Sequence, residues 1–421
     1  MSAHTPREPS HLRSALQPRE PRRPRRIAHF DLDSFFVAVE RALDPSLIGK
    51  PVLVGHAGAR GVVASASYEA RKFGCHSAQP MAQALRLCPQ AVVVMSGHDV
   101  YGKYSRQFHD ILNQTSPVVE SVGVDEAYVD LTGTGPEVGG AYAAAQDVRR
   151  RVREELGLVV SACIAGSRTV AKVGSDRAKP DGLLEVPVGQ DAAFLAPLPI
   201  RDLPLVGPRL GEALQAVGVR TIGDAADLDA RWLAAQFGKA GEALAQHARG
   251  IDHTPVRAGG REHRQISREN TFGQDVTEVE ELRRVLQQHA DRVGGDLRRQ
   301  GRRARTVSIK VRWSDFTTLS RSRTLDRPVQ ATAAIVETAR DLLDEVVRTE
   351  GLRPVRLLGV AVSNLVEDQV QLSLDDLGSG VAGATAADGS ARPRVLRDEE
   401  LDRAIDGLRA RFGDRSVTRG L

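Results

Sequence analysis

Ile27-Ala28-His29-Phe30-Asp31-Leu32-Asp33 alternates as a β-strand does, and Ser34 then opens Phe35-Phe36-Val37-Ala38-Val39-Glu40, where apolar residues return at helical spacing. Ligand-binding groups concentrate at such strand ends and helix starts. Asp31 and Asp33 stand two apart and so share a face, while Leu32 turns its side chain inward and leaves its carbonyl as a hard oxygen donor.

Outward from this segment, 51–55 and 62–65 read as strands and 68–72 and 80–87 as helices. Residues 118–122 and 127–131 read as strands flanking Gly123-Val124-Asp125-Glu126, an acidic hairpin tip or rim. A helix reaching about Leu156 and a strand at 159–165 complete a mixed α/β body within 27–195. From 196 to 260 short helices are broken by glycines, and Leu205-Val206-Gly207-Pro208-Arg209-Leu210-Gly211 reads as a compact helix-turn-helix. Its turn, with Gly207, Arg209 and Gly211, exposes backbone N–H groups to a phosphate. Residues 261–365 form a second α/β unit, with helix 277–299, strand 305–313, helix 328–348 and strand 355–363 predicting a small sheet covered on one face. A linker at 366–396 and a segment at 397–421, with a short amphipathic helix over 397–412, end the chain. Residues 1–26, rich in arginine and proline, read as a flexible basic arm.

At 421 residues and 41% hydrophobic content the chain can fill several cores. Its net charge is only +4, yet arginine is clustered, which suits a polyanionic partner. Cysteines at 75, 88 and 163 are too few and scattered for a disulfide framework or a zinc cluster, and read as small buried apolar residues. No stretch is long and apolar enough to anchor in a membrane, so a cytoplasmic chain is expected.

Asp125 and Glu126 in one turn repel each other unless a cation neutralises them. If that turn lies beside Asp31, the carboxylates and the Leu32 carbonyl make a hard-oxygen site for Mg²⁺ or Mn²⁺, able to bridge two ions. Two such ions would activate a hydroxyl and hold a triphosphate. In isolation the same residues also read as ordinary capping and turn carboxylates, and Asp33 as a helix N-cap or an outer ligand. Tyr68 and Arg71, three apart on one helical face, could hold phosphate oxygens, as could Lys179 before Pro180; surface charges look the same, and Lys72 and Lys172 are weaker candidates. Phe35 and Phe36 point about 100° apart on a helix, so one ring can enter the core while the other faces the nucleotide and excludes a 2′-hydroxyl. Between 281 and 312 ten basic residues face three acidic ones; Arg303 and Arg305 lead into a strand that puts Lys310 and Arg312 on one face, fit for a duplex backbone. With 4% aromatic residues, stacking on single strands is disfavoured.

Five ordered motifs, IAHFDLDSFFVAVE from Ile27, ASYEARKFG from Ala66, VGVDEAYVD from Val122, AKVGSDRAKPDG from Ala171 and LPLVGPRLG from Leu203, together resemble the Y family of DNA polymerases, in its bacterial DNA polymerase IV branch. The resemblance spans about 27–365. It implies a right-hand polymerase, multidomain α/β and α+β, with a palm over 27–195, small fingers inserted at about 40–100, a helix-hairpin-helix thumb over 196–260 and a little finger over 261–365. It further implies Asp31, Asp125, Glu126 and the Leu32 carbonyl as ligands of two Mg²⁺, Tyr68, Arg71 and Lys179 as triphosphate contacts, and Phe36 as the steric gate. Primer-template DNA and deoxynucleoside triphosphates become the partners of a monomer that copies damaged template with low fidelity and no proofreading. Gln371-Leu372-Ser373-Leu374-Asp375 resembles a sliding-clamp peptide with an acid where an aromatic is expected, which makes that site degenerate. A polymerase-like scaffold without catalysis would be expected to lose carboxylates that are all present here; a two-metal nuclease or nucleotidyl cyclase could also use paired acids, though the hairpin at 203–211 and the basic C-terminal unit disfavour the cyclase.

Overall fold

A computed structural model describes residues 23–135, 139–259, 264–367, 394–413 and 416–417. The basic arm up to residue 22, most of the linker and the peptide holding Gln371, Leu372 and Leu374 lie outside the described residues. Two compact units part between residues 259 and 264.

In the first unit β1 (Ile27–Leu32) runs into α1 (Phe35–Leu43), followed by β2 (Val52–Gly55), β3 (Val63–Ala66), the one-turn α2 (Tyr68–Arg71), α3 (Met81–Leu87) and β4 (Val92–Val94). Then come α4 (His98–Thr115), β5 (Val119–Ser121), β6 (Glu126–Asp130), α5 (Gly140–Leu156), β7 (Val160–Ala165), α6 (Arg168–Ala178) and β8 (Leu183–Glu185). Strands β3, β2 and β4 form a small sheet of their own; the larger sheet has the order β5-β6-β1-β7-β8.

The larger sheet places β1 at its centre, antiparallel to β6 and β7. All six residues of β1 are buried, so the alternation expected there is one of chemistry rather than exposure. Ala28, Phe30 and Leu32 join one core, while His29 and Asp31 point to the other face. Ser34, at φ 48°, makes the sharp turn into α1; its side chain caps nothing, and neither does that of Asp33 serve as the N-cap.

Helices α4 and α6, which the sequence reading did not place, supply a wall on each side. α6 lies close on β7 because residue 174 is glycine: a Cβ there would fall 2.2 Å from Cys163 Sγ. Cys75, Cys88 and Cys163 are buried free thiols. Gly174→Ala is expected to lower stability by up to about 2 kcal/mol, since overpacking of about 1–3 kcal/mol is offset by a gain of only about 1 kcal/mol in helix propensity. A thermal melt of the full chain that is unchanged or raised would contradict this packing.

Five short helices complete the unit: α7 (Asp191–Leu195), α8 (Pro208–Ala216), α9 (Ile222–Asp227), α10 (Ala230–Phe237) and α11 (Lys239–His247). Leu195, Ile200, Leu203, Leu214 and Ile222 share one core with Val170 and Val173 of α6. The element before the Gly207 turn is a 3₁₀ turn, Ile200–Asp202, rather than a helix, because Pro199 and Pro204 leave no room for a longer one.

The second unit is a four-stranded antiparallel sheet of β9 (Gln265–Val276), β10 (Arg302–Trp313), β11 (Thr318–Val329) and β12 (Val355–Glu367), in the order β11-β10-β12-β9, with α12 (Val279–Arg299) and α13 (Thr332–Glu350) packed against it. Residues 318–329 are therefore a strand, and the helix expected from 328 begins only at Thr332. Val307, Ile309, Val311 and Trp313 face the helices. The C-terminal helix Arg394–Phe412 buries Ile405 together with charge, not an apolar stripe: Glu399 meets Arg303 at 2.8 Å, Asp406 meets Arg298 at 2.6 Å, and Asp402 meets Arg298 at 3.1 Å. Arginines at the end of α12 and the start of β10 draw the acidic face inward, leaving Leu401, Leu408 and Phe412 exposed.

Candidate active site

Acids from two distant segments, Asp31 and the adjacent pair Asp125 and Glu126, meet at the end of β1. Asp31 pairs across the sheet with Glu126, the first residue of β6, and the Leu32 N–H donates to the Asp125 carbonyl at 2.9 Å. The acidic hairpin thus closes over the strand that carries Asp31. The Leu32 carbonyl belongs to the same strand end, where Leu32 pairs with Val160 of β7.

Two lysines stand among these acids. Lys172 of α6 reaches Glu126 Oε2 at 2.8 Å and Asp31 Oδ2 at 3.1 Å; Lys179, just beyond α6, reaches Asp31 Oδ1 at 2.7 Å. Lys172 is thus a full member of the cluster, although the sequence ranked it below Lys179. The signal that could have found it is a helix starting at Arg168: with Ser167 as its N-cap, positions 172 and 176 fall on one face.

Burial, and then the negative charges of Asp31 and Glu126, push the Asp125 carboxyl up to about 6. Glu126 is held down at about 2, first by the His29 ring, whose Nε2 lies 3.5 Å from Glu126 Oε2, and then by Lys172 against the opposing effect of burial. Burial pulls Lys172 down, but Asp31, Asp176 and Glu126 outweigh it and hold the ammonium above its ordinary range. His29, fully buried beneath the cluster, is held below its ordinary value by burial; its Nδ1 lies 2.8 Å from Ser175 Oγ. The site therefore concentrates anionic oxygen and attracts any cation in reach.

Tyr68 and Arg71 form a pair at α2, with the guanidinium carbon 4.8 Å from the ring centroid. Ser67 caps that single turn by accepting from the Ala70 N–H, and Arg71 Nε donates to the Ala66 carbonyl at 3.0 Å. The Tyr68 hydroxyl reaches Asp33, on the chain that leaves β1, at 3.3 Å. Burial, followed by the Asp33 charge, raises its ionisation well above the usual phenol range, so it acts as a neutral hydroxyl donor. Lys72 is exposed and shares no contact with the acids.

The two phenylalanines diverge as helical geometry requires. Phe35 is 3% exposed in the core, whereas Phe36 is half-buried and stacks on Tyr101 of α4 at 4.4 Å and 29°. Tyr101 donates to Glu40 through its hydroxyl, which fixes the ring under Phe36. No sequence motif pointed to Tyr101, because α4 itself went unread.

Gly207 starts α8 with Pro208 behind it, and Arg209 is exposed there; Gly211 packs against Arg201, which a Cβ would approach to 3.0 Å. In the second unit Ser308, Lys310 and Arg312 point away from the helices, paired with Ser322, Ser320 and Thr318 on β11. Lys310 meets Glu269 at 2.7 Å, Arg312 meets the Thr318 hydroxyl at 2.8 Å, and Arg305 is exposed. Arg303 instead turns to Glu399 of the C-terminal helix, apart from Lys310 and Arg312. Among the described residues no helix is long and apolar enough to cross a membrane.

Comparison with known proteins fits this geometry. Residues 30–176 match the impB/mucB/samB family, 263–374 its C-terminal domain and 192–219 the IMS family HHH motif. The chain belongs to this family, the Y-family DNA polymerases. It is 40% identical over 397 residues to DNA polymerase IV of Dehalococcoides mccartyi (strain CBDB1), covering 94% of this chain and 97% of that one. It is 42% identical over 352 residues to DNA polymerase IV of Halorhodospira halophila, covering 83% and 98%. A solved Y-family DNA polymerase chimera superposes with a TM-score of 0.73 at 25% identity, covering 81% of this chain and 99% of that one. Within the family the chain falls in the DNA polymerase IV branch.

Proposed function

We infer that the cluster of Asp31, Asp125 and Glu126 is the nucleotidyl-transfer centre of a template-directed, low-fidelity DNA polymerase that copies past damaged template. The pairing of Asp31 with Glu126 across β1 and β6 carries this reading, because it unites acids almost a hundred residues apart at one sheet end.

Catalysis in this family depends on Mg²⁺, and the donor set suits a hard cation. Its side-chain donors are carboxylate oxygens, and burial together with the neighbouring charges of Asp31 and Glu126 lifts Asp125 to about 6. Among the described residues these acids do not close into a three-ligand cage; Asp31 and Glu126 turn to the two lysines instead. Asp31, Asp125, Glu126 and the Leu32 carbonyl would hold two Mg²⁺ ions, or Mn²⁺ in their place, which supply Lewis-acid polarisation of the primer 3′-oxygen and of the phosphate oxygens. The chain's own groups do the rest. Tyr68, Arg71 and Lys179 donate hydrogen bonds and charge to the triphosphate. Phe36, braced by Tyr101, lies under the sugar and excludes a 2′-hydroxyl. Gly207, Arg209 and Gly211 grip a phosphate of the duplex, and Arg305, Lys310 and Arg312 lie along its backbone. In this reading 27–195 is the palm with its fingers, 196–260 the thumb and 261–365 the little finger, together acting on primer-template DNA as a monomer.

Primer extension tests the reading directly. With a primed template, the four deoxynucleotides and Mg²⁺, products should lengthen in template order and stop when EDTA is added. Shortened primers, or no change with or without nucleotides, would overturn it in favour of a nuclease or a scaffold.

A second test uses proton competition. The Asp125 carboxyl is raised in the fold, so between its ordinary value of about 3.9 and about 6 the folded protein binds more protons than the unfolded chain. Without metal, the Asp125 contribution to stability should therefore be lost as pH rises through that window. A cation needs the ionised form, so the rise in Tm on adding Mg²⁺ should be largest above pH 6 and shrink below it. A Mg²⁺ effect that is flat across this range would place the cation elsewhere.

A further inference from the structure

Asp33 lies two residues beyond Asp31, yet its surroundings differ in kind. It is 5% exposed, and its carboxylate accepts from three donors. Ser161 Oγ donates at 2.9 and 3.0 Å across both oxygens, the Asp181 N–H donates to Oδ2 at 2.7 Å, and the Tyr68 hydroxyl donates to Oδ1 at 3.3 Å. A carboxylate offers about four acceptor sites, so the protein itself fills this one. Asp31, by contrast, faces two lysine ammonium groups that a metal or a phosphate could draw away.

The three donors sit on separate pieces of chain. Ser161 is on β7, Tyr68 begins α2, and Asp181 is two residues past Lys179 in the loop between α6 and β8. That loop is held tightly. Asp181 adopts φ 53°, a left-handed conformation that costs a non-glycine residue about 1 kcal/mol or more. A Cβ on Gly182 would fall 2.0 Å from the Ala178 carbonyl oxygen, and its N–H donates to the same Ser161 hydroxyl at 3.3 Å. Asp33 and Ser161 together thus fasten the segment carrying Lys179 to the central sheet, and Asp33 also joins that segment to Tyr68.

We propose that Asp33 is a positioning residue that sets the spacing between Tyr68 and Lys179, and hence the fit of the triphosphate, without itself meeting a metal ion. This rests on Tyr68 and Lys179 as triphosphate contacts. Deleting the carboxylate frees both sides to drift, and a displacement near 1 Å is enough to weaken a bound pose.

Single-nucleotide insertion by the full-length enzyme tests it, with KM and kcat for the correct deoxynucleotide measured beside the Mg²⁺ concentration for half-maximal rate. Asp33→Ala is expected to raise KM by about 10-fold, with a smaller fall in kcat and unchanged Mg²⁺ dependence. Asp33→Asn, which keeps one acceptor oxygen, should lie between it and the wild type, and it reads the same split if the alanine variant unfolds. Combined with Lys179→Ala, the Asp33 change should add less than it does alone. A Mg²⁺ requirement that shifts in step with KM would overturn the proposal, making Asp33 part of the cation site. So would an unchanged KM in both Asp33 variants while Lys179→Ala raises it, and in that case the triphosphate assignment stands. If Lys179→Ala and Tyr68→Phe both leave KM unchanged, the triphosphate assignment fails and the positioning role falls with it.

Discussion

Replacing Asp125 and Glu126 together by alanine is expected to cut primer extension by about 10³-fold or more while leaving affinity for primer-template DNA near that of the wild type. A cation bridging reacting oxygens contributes several kcal/mol to the transition state, and each 1.36 kcal/mol lost is about tenfold in rate. The variant should remain folded. Burial, and then the like charges of Asp31 and Glu126, lift the Asp125 carboxyl to about 6, so its removal relieves desolvation and repulsion, whereas the loss of Glu126 leaves Lys172 still paired with Asp31. Extension kinetics, with DNA affinity from fluorescence anisotropy and a thermal melt alongside, separate the two effects. Equal extension by both proteins would remove the acidic cluster from the reaction.

Phe36→Leu should admit ribonucleotides, raising their use relative to deoxynucleotides by about 10²-fold, or about 2.7 kcal/mol, near the upper end of what relief of a steric overlap supplies. The gate is rigid. Phe36 rests on the Tyr101 ring at 4.4 Å, and Tyr101 is buried, so the phenylalanine cannot swing aside to make room for a 2′-hydroxyl. Leucine in that place is shorter and leaves the space open. The measurement is incorporation of each nucleotide type opposite one template base. Sugar discrimination that stays at the wild-type value would put the gate on another side chain.

Much of this site was legible because its parts obey local rules. Alternation turned Leu32 inward and left Asp31 on the opposite side of β1, the apolar runs flanking Asp125 and Glu126 marked a hairpin, and helical geometry separated Phe35 from Phe36. What stayed hidden depends on contacts between distant segments. Lys172 enters the cluster only because α6 lies against β1 and β7, and Tyr101 supports Phe36 only because α4 packs on α1. Strands β9 and β11 escaped for a different reason: β9 buries only Ile266, Phe272 and Val276 among its twelve residues, and β11 exposes Ser and Thr while its arginines Arg321 and Arg323 pair with acids of α13. Such strands present little apolar pattern to read. Asp33 shows the same limit within one motif, since spacing made it a twin of Asp31 and only the fold revealed its three donors.

The central place of β1 has a consequence for how the enzyme fails. A slip of one residue in its pairing would turn Asp31 toward the core and bring Phe30 to the acidic side, so the carboxylate cannot wander while the sheet survives. Heat should therefore silence the enzyme in a single step with collapse of its first unit, leaving no folded species whose chemistry has merely drifted out of line.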